Sequence, residues 1–324
     1  MAVYTHVSAE ALGEFLTRYD VGGLVSAKGI AEGVENSNYM VDTTKGRFFL
    51  TLYEKRVDAA DLPFFIALLD HLARKGLPVP PAIKDRNGAE IQELAGRPAC
   101  LIEFLPGVSL SHPTPAQARA AGEALGRMHQ AVQDFGGERP NSMGPASWQP
   151  LLERCGRGID AIAPELYDDI EFAIADLSWT WPGEKLASCV IHADLFPDNV
   201  LMRGEIVSGL IDFYFACTDI RLYDLAVMHT AWSFDATGTR YDEAIGDALI
   251  AGYSTHFPFS DDDHRGFNDL CVGACIRFTL SRAWDWLNTP ADALVTRKDP
   301  MTYWQRTKVY AGDYNAIRKA IQRA

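Results

Sequence analysis

At Leu105-Pro106-Gly107 the texture of the chain changes, and that break constrains its fold more than any other feature. Upstream lie short runs rich in aromatic and β-branched residues, separated by glycines and polar clusters. Downstream, apolar residues recur at helical spacing over long stretches. A mostly β portion followed by a mostly helical one predicts an α+β chain of two lobes, residues 1–105 and 106–324. The length of 324 residues is enough for a core in each.

In the first lobe, the segment from Leu24 to Asp42 reads as a hairpin broken by Gly29, Gly33 and a polar loop. Gly46 to Tyr53 is the clearest strand, and its two-residue period places Thr51, Tyr53 and Lys55 on one face. Asp58 to Lys75 reads as an amphipathic helix capped by Asp58 and stopped at Gly76. Strands over Ala89 to Leu94 and Pro98 to Phe104 complete a small antiparallel sheet carrying one main helix. In the second lobe, Thr114 caps a helix running to Val132 with Pro115 in its first turn. Further helices are expected over 151–162, 164–177, 222–232, 242–253, 262–287 and 300–321, with one β island at 188–211 between them.

The net charge of -13 argues against nucleic acid and anionic membranes as partners, and no basic run offsets it. An anionic nucleotide stays compatible, because metal ions and backbone amides neutralise phosphates locally. The six cysteines are scattered without zinc-type spacing, so buried reduced thiols are expected. The start of the chain lacks a basic-then-apolar signal and no run reaches spanning length, which makes a cytoplasmic monomer or homodimer the expectation.

Chemistry concentrates in Val190-Ile191-His192-Ala193-Asp194-Leu195-Phe196-Pro197-Asp198-Asn199-Val200-Leu201, followed by Leu210-Ile211-Asp212-Phe213. A buried strand delivers His192 and Asp194 to a polar loop. Two strands folded about Gly204 would then set Asn199 opposite Leu210, with Asp212 as its diagonal neighbour. An amide oxygen and a carboxylate facing one point suit Mg2+, which takes one or two protein oxygens and completes its shell with water and phosphates. Asp194 remains free to accept a hydroxyl proton, so phosphoryl transfer is the expected chemistry, with His192 ordering the loop. Asp198 is expected in solvent, and Asp224 as an acceptor for the loop.

The same segments, together with Gly33-Val34-Glu35-Asn36-Ser37-Asn38-Tyr39, Phe49 to Glu54, Gly76 to Pro80, Gly209 to Cys217 and Tyr223-Asp224-Leu225-Ala226, resemble the homoserine kinases of the aminoglycoside-phosphotransferase superfamily. The resemblance implies a protein kinase-like fold, ATP and Mg2+, and transfer of the γ-phosphate to the hydroxyl of L-homoserine. It implies nucleotide contacts from Gly33, Asn36 and Ser37 in the first hairpin and from Glu103, Phe104 and Leu105 before the break. One departure concerns the third strand, where many relatives carry a cation and this chain has Thr51. Lys55 could substitute, with Asp61 as its carboxylate partner, or could be a solvated strand-end lysine. That departure also motivates the alternative of a noncatalytic nucleotide-binding module; choline, ethanolamine or aminoglycosides are the alternative acceptors. For a zwitterionic substrate, Tyr214, Arg277, Arg282 and Asp285 are the candidates.

Overall fold

The computed structural model describes residues 5–30, 36–54, 58–289, 297–312 and 321. These residues form two compact units, one ending at Pro106 and one beginning at Gly107.

The first unit is built on a five-stranded antiparallel sheet in the order β1-β2-β3-β5-β4, with β1 Leu24–Ile30, β2 Ser37–Thr43, β3 Gly46–Leu52, β4 Gln92–Leu94 and β5 Arg97–Glu103. The strand β2 alternates buried and half-buried residues along its length, so Tyr39 and Val41 join Leu50, Leu52, Ala99 and Leu101 in one core. A two-turn helix, α1 (Ala9–Leu16), closes that core with Leu12, Phe15 and Leu16. The sequence reading provided only one helix here, α2 (Leu62–Arg74), because eight residues carry too short an apolar stripe to stand out. Asp58 caps the 3-10 turn leading into α2, and Gly76 follows it at φ +79°. The strand expected from Ala89 is shorter because the Asp85 carboxylate takes the amides of Asn87 and Ala89, holding that stretch as a turn.

The second unit is mostly helical: α3 (Pro115–Ala131), α4 (Pro145–Cys155), α5 (Leu166–Thr180), α6 (Arg221–Trp232), α7 (Glu243–Ser254), α8 (Asp261–Asn288) and α9 (Met301–Gly312). Thr114 and Gln117 form a reciprocal capping box at the start of α3. The helix α4 begins at Pro145, six residues before the expected start, since Pro150 is accommodated in its second turn; Gly156, at φ +57°, then breaks the helix expected to run on to 162. Helices α3 and α7 meet backbone to backbone. A Cβ on Gly122 would strike the Leu249 carbonyl, and one on Gly252 would strike that of Arg119.

The β island has two parts. One is the pair β6 (Ser188–Ile191) and β9 (Cys217–Ile220); the other is the hairpin β7 (Val200–Arg203) and β8 (Ile206–Leu210). The strand β9 was not anticipated, being four residues directly abutting a helix. The hairpin register also differs from expectation. Near the Gly204 turn, Met202 faces Val207, but a bulge beyond Leu201 makes Val200 face Leu210, so Asn199 lies opposite Ile211 rather than Leu210.

Candidate active site

The loop between β6 and β7 carries the candidate residues His192, Asp194 and Asn199, and it is held mainly from helices. Asp224, in the first turn of α6 and fully buried, accepts the amides of His192 at 2.6 Å and Ala193 at 2.7 Å. It also accepts His129 Nε2 from α3 at 3.0 Å. A carboxylate can only accept here, so Nε2 of His129 carries its proton, and the Tyr253 hydroxyl lies 3.0 Å from Nδ1. Burial works against ionisation of Asp224, yet the His129 hydrogen bond and the amides outweigh it and hold the carboxyl below its ordinary range.

Ala193 stands at φ +64°, a left-handed conformation that costs an ordinary residue about 1 kcal/mol or more. Both of its peptide groups are held: the N–H by Asp224 and the carbonyl by Arg277 Nη1, reaching in from α8. That turn presents the next residue, half-buried Asp194. The Asp194 amide donates to His192 Nδ1 at 3.3 Å, while His192 Nε2 meets the Ile211 carbonyl at 3.0 Å. Nε2 therefore carries the proton and the ring is neutral. Burial lowers its pKa further, and the ring packs against Phe213 at 4.4 Å.

Asn199 turns its amide nitrogen to Asp194, 2.8 Å from the carbonyl and 3.4 Å from Oδ2. Its Oδ1 is thereby left as the group that a hard cation could take. Ile211 donates its N–H to the Asn199 carbonyl at 3.0 Å, so Asp212 is the residue directly beyond the one paired with Asn199. Asp212 itself is left-handed, at φ +67°. Asp194 and Asn199 thus touch, and Asp212 follows the residue that pairs with Asn199 at the head of the hairpin. Among the described residues no three His, Cys, Asp or Glu side chains gather as a metal cluster. An amide oxygen with one carboxylate nevertheless suits Mg2+, which draws most of its shell from water and phosphate.

The other candidates separate. Arg277, expected to meet substrate, is 2 % exposed and spends a guanidinium N–H on the Ala193 carbonyl, because α8 runs directly behind the loop. Its contribution is to the loop's shape. Arg282 donates to Thr302 Oγ1 at 2.8 Å and lies 4.4 Å from the Tyr303 ring. Tyr214 sits in the 3-10 turn after Asp212, and Asp285 is half-buried on α8. Asp198 is exposed, with Lys298 3.9 Å away.

In the first unit, Thr51 donates to Asn38 Oδ1 at 2.9 Å and Ser37 to Glu54 Oε1 at 2.8 Å, while Asn36 Oδ1 accepts the Glu54 amide at 3.2 Å. The Glu103 amide donates to the Pro81 carbonyl at 3.1 Å, Phe104 lies against Phe49, and half-buried Leu105 follows. Gly33 and Lys55 lie outside the described residues.

Sequence reasoning missed His129, Arg277's actual role, and Trp232, whose indole N–H holds the Leu195 carbonyl at 3.0 Å. His129 carried a faint signal, as a histidine on the apolar face of α3 beside Met128.

With this geometry in hand, the family is decided by a match over residues 26–259 to the model described as the phosphotransferase enzyme family. The chain belongs to that family. A homoserine kinase of Zymomonas mobilis subsp. mobilis is 49% identical over 315 residues, covering 96% of this chain and 97% of that one. One from Acidiphilium cryptum is 49% identical over 319 residues, covering 97% and 99%. Among solved structures, an amicoumacin kinase in complex with AMP-PNP, Ca2+ and Ami superposes with a TM-score of 0.73 at 14% identity, covering 96% of this chain and 95% of that one. The fold is accordingly the protein kinase-like one of phosphotransferases, a small antiparallel sheet unit followed by a helical unit. Among the described residues no helix is long and apolar enough to cross a membrane.

Proposed function

We propose that this phosphotransferase moves the γ-phosphate of ATP to the side-chain hydroxyl of L-homoserine, giving O-phospho-L-homoserine. The choice of acceptor is carried by the end-to-end similarity to homoserine kinases at 49% identity. The chemistry is supported by Asn199 touching Asp194 while adjoining the strand position before Asp212.

Asp194 is the base: it takes the acceptor's hydroxyl proton as the oxygen attacks phosphorus. Asn199 orients it from one side and holds the loop carbonyl from the other. His192 is a positioning residue, since both ring nitrogens are committed to backbone groups. Asp224 and Arg277 fix the strained Ala193 peptide groups, so the base is set in place before substrate arrives. Asn199 Oδ1 and the Asp212 carboxylate would hold Mg2+, which supplies charge neutralisation to the phosphates when bound. In the first unit, the backbone from Glu103 to Leu105 and the hairpin around Asn36 and Ser37 are the proposed nucleotide contacts. Thr51 contributes no cation there, and its hydroxyl is engaged with Asn38.

The test is ADP release with L-homoserine, choline, ethanolamine and an aminoglycoside offered separately under Mg2+ and ATP. Turnover restricted to homoserine is expected. Turnover only on another acceptor would move the assignment to that alcohol, and no turnover on any, with ATP bound, would favour a noncatalytic module.

A further inference from the structure

Beyond the catalytic loop, α8 and α9 carry two arginines whose guanidinium groups contact carbonyl and hydroxyl oxygens rather than carboxylates among the described residues. Arg306 is 7 % exposed and donates through Nη1 to the Thr230 carbonyl at 2.8 Å, leaving its Nε buried without an acceptor among the described residues. Arg282, half-buried, spends Nη1 on Thr302 Oγ1 and the Asp299 carbonyl. Neither guanidinium has a carboxylate partner among the described residues. Both lie against one ring: the Cζ atoms of Arg282 and Arg306 are 4.4 Å and 4.3 Å from the centroid of Tyr303. Tyr303 is fully buried and its hydroxyl has no partner among the described residues.

Two cations sharing one aromatic ring repel each other, and burying such a pair without a direct ion-pair partner is costly. A buried phenol hydroxyl without a partner adds to that cost. An anion with hydrogen-bond acceptors would relieve all three groups. The position of the cluster says which anion. Phe196 of the catalytic loop is 6.1 Å from the Tyr303 ring and 4.9 Å from that of Phe278, which itself is 5.0 Å from Tyr303. Arg282 and Tyr303 both lie within electrostatic reach of Asp194, and Arg282 also of Asp198. Arg282 therefore stands near the base that receives the acceptor's proton, in the field of Asp194 and Asp198.

We infer that this cluster is the carboxylate subsite of the acceptor, with Arg282 and the Tyr303 hydroxyl holding the carboxylate and Arg306 supplying buried positive charge behind them. The inference rests on the homoserine reading and deepens it: the enzyme selects alcohols that bear a carboxylate and discriminates against amino alcohols that lack one. Homoserine is short, so the groups that recognise its acid end have to lie near the base at its hydroxyl end, as these do.

The experiment pairs a change in the protein with a change in the substrate. Wild type and Arg282→Met are assayed with L-homoserine and with L-homoserine amide, which keeps the shape and hydroxyl but loses the charge. Wild type is expected to prefer homoserine in kcat/KM by roughly 10- to 100-fold, the worth of a charge-assisted hydrogen bond. In Arg282→Met that preference collapses, mainly through the KM for homoserine, while activity on the amide and the KM for ATP change less than about 3-fold. Arg282→Lys should restore part of the preference. A variant that loses activity equally on both acceptors would overturn the subsite, as would a wild type indifferent to the amide. Wild-type turnover of ethanolamine with none of homoserine would instead remove the homoserine reading, and this inference with it. The wild-type comparison needs no substitution, so a poorly folding variant leaves it decisive.

Discussion

Replacing Asp224 with asparagine tests whether the catalytic loop is held by the helices behind it. Oδ2 of Asp224 receives His129 Nε2 and the His192 amide, and Oδ1 receives the Ala193 amide. An asparagine can keep its oxygen toward His129 and His192, but its NH2 then confronts the Ala193 N–H, donor against donor. Two charge-assisted hydrogen bonds become neutral ones at about 1 kcal/mol each, and one buried amide loses its acceptor at about 1–3 kcal/mol. The expected destabilisation is therefore about 3–5 kcal/mol, within the usual 5–15 kcal/mol of a folded domain. The fold should survive, but the left-handed Ala193 is released on one side, and a displacement of Asp194 by about 1 Å costs on the order of 100-fold in rate. Urea unfolding with steady-state kinetics reads both effects: a lower midpoint at unchanged slope, kcat down about 100-fold, and the KM for ATP within about 3-fold. A loss below about 1 kcal/mol with kcat nearly unchanged would refute the argument that the Asp224 oxygens set the loop.

Asp194→Ala should abolish turnover while leaving ATP affinity within about 3-fold, measured by calorimetry, because the base is not a phosphate ligand. Fully buried His229 sits between the hydroxyls of Tyr310 and Tyr241, and burial pushes its pKa down to about 3. Below about pH 6.5 the unfolded chain takes a proton that native His229 refuses, so stability falls with pH, by about 2 kcal/mol at pH 5 from this group; His229→Gln should flatten the urea midpoint between pH 7 and 5 by that amount. Gly252→Ala drives a methyl into the Arg119 carbonyl and should cost about 3 kcal/mol or more in thermal or urea unfolding, whereas half-buried Gly13→Ala, with nothing near its Cβ, should not destabilise.

Much of this arrangement is legible in the sequence because local signals and burial agree. Thr114-Pro115 begins α3 as its chemistry dictates, and the helix expected over 262–287 appears as α8. The loop holding Asp194 and Asn199, and the place of Asp212 just past the hairpin, are legible because the apolar strand before the loop and the turn at Gly204 are. Where the reading failed, the deciding partner was remote in sequence. Arg277 reads as a substrate cation until α8 is seen to pass behind Ala193, 84 residues away in sequence. His129 drew no reading at all, and only the fold places Asp224 beside it, 95 residues away in sequence. The hairpin register failed for a different reason, because a bulge is a matter of strand geometry that residue type scarcely marks.

That bulge gives the β7–β8 hairpin a property that side chains alone would not suggest. Ser208 is the supernumerary residue between Val207, which faces Met202, and Gly209, which faces Leu201. Removing it would make the pairing regular and leave Gly209 opposite Leu201, Leu210 opposite Val200 and Ile211 opposite Asn199, so Asp212 would keep its place. The hairpin therefore has one place, Ser208, where a residue can be lost without moving the centre, whereas a deletion between Gly209 and Asp212 would slide Asp212 one place along the opposite strand and turn its side chain to the other face.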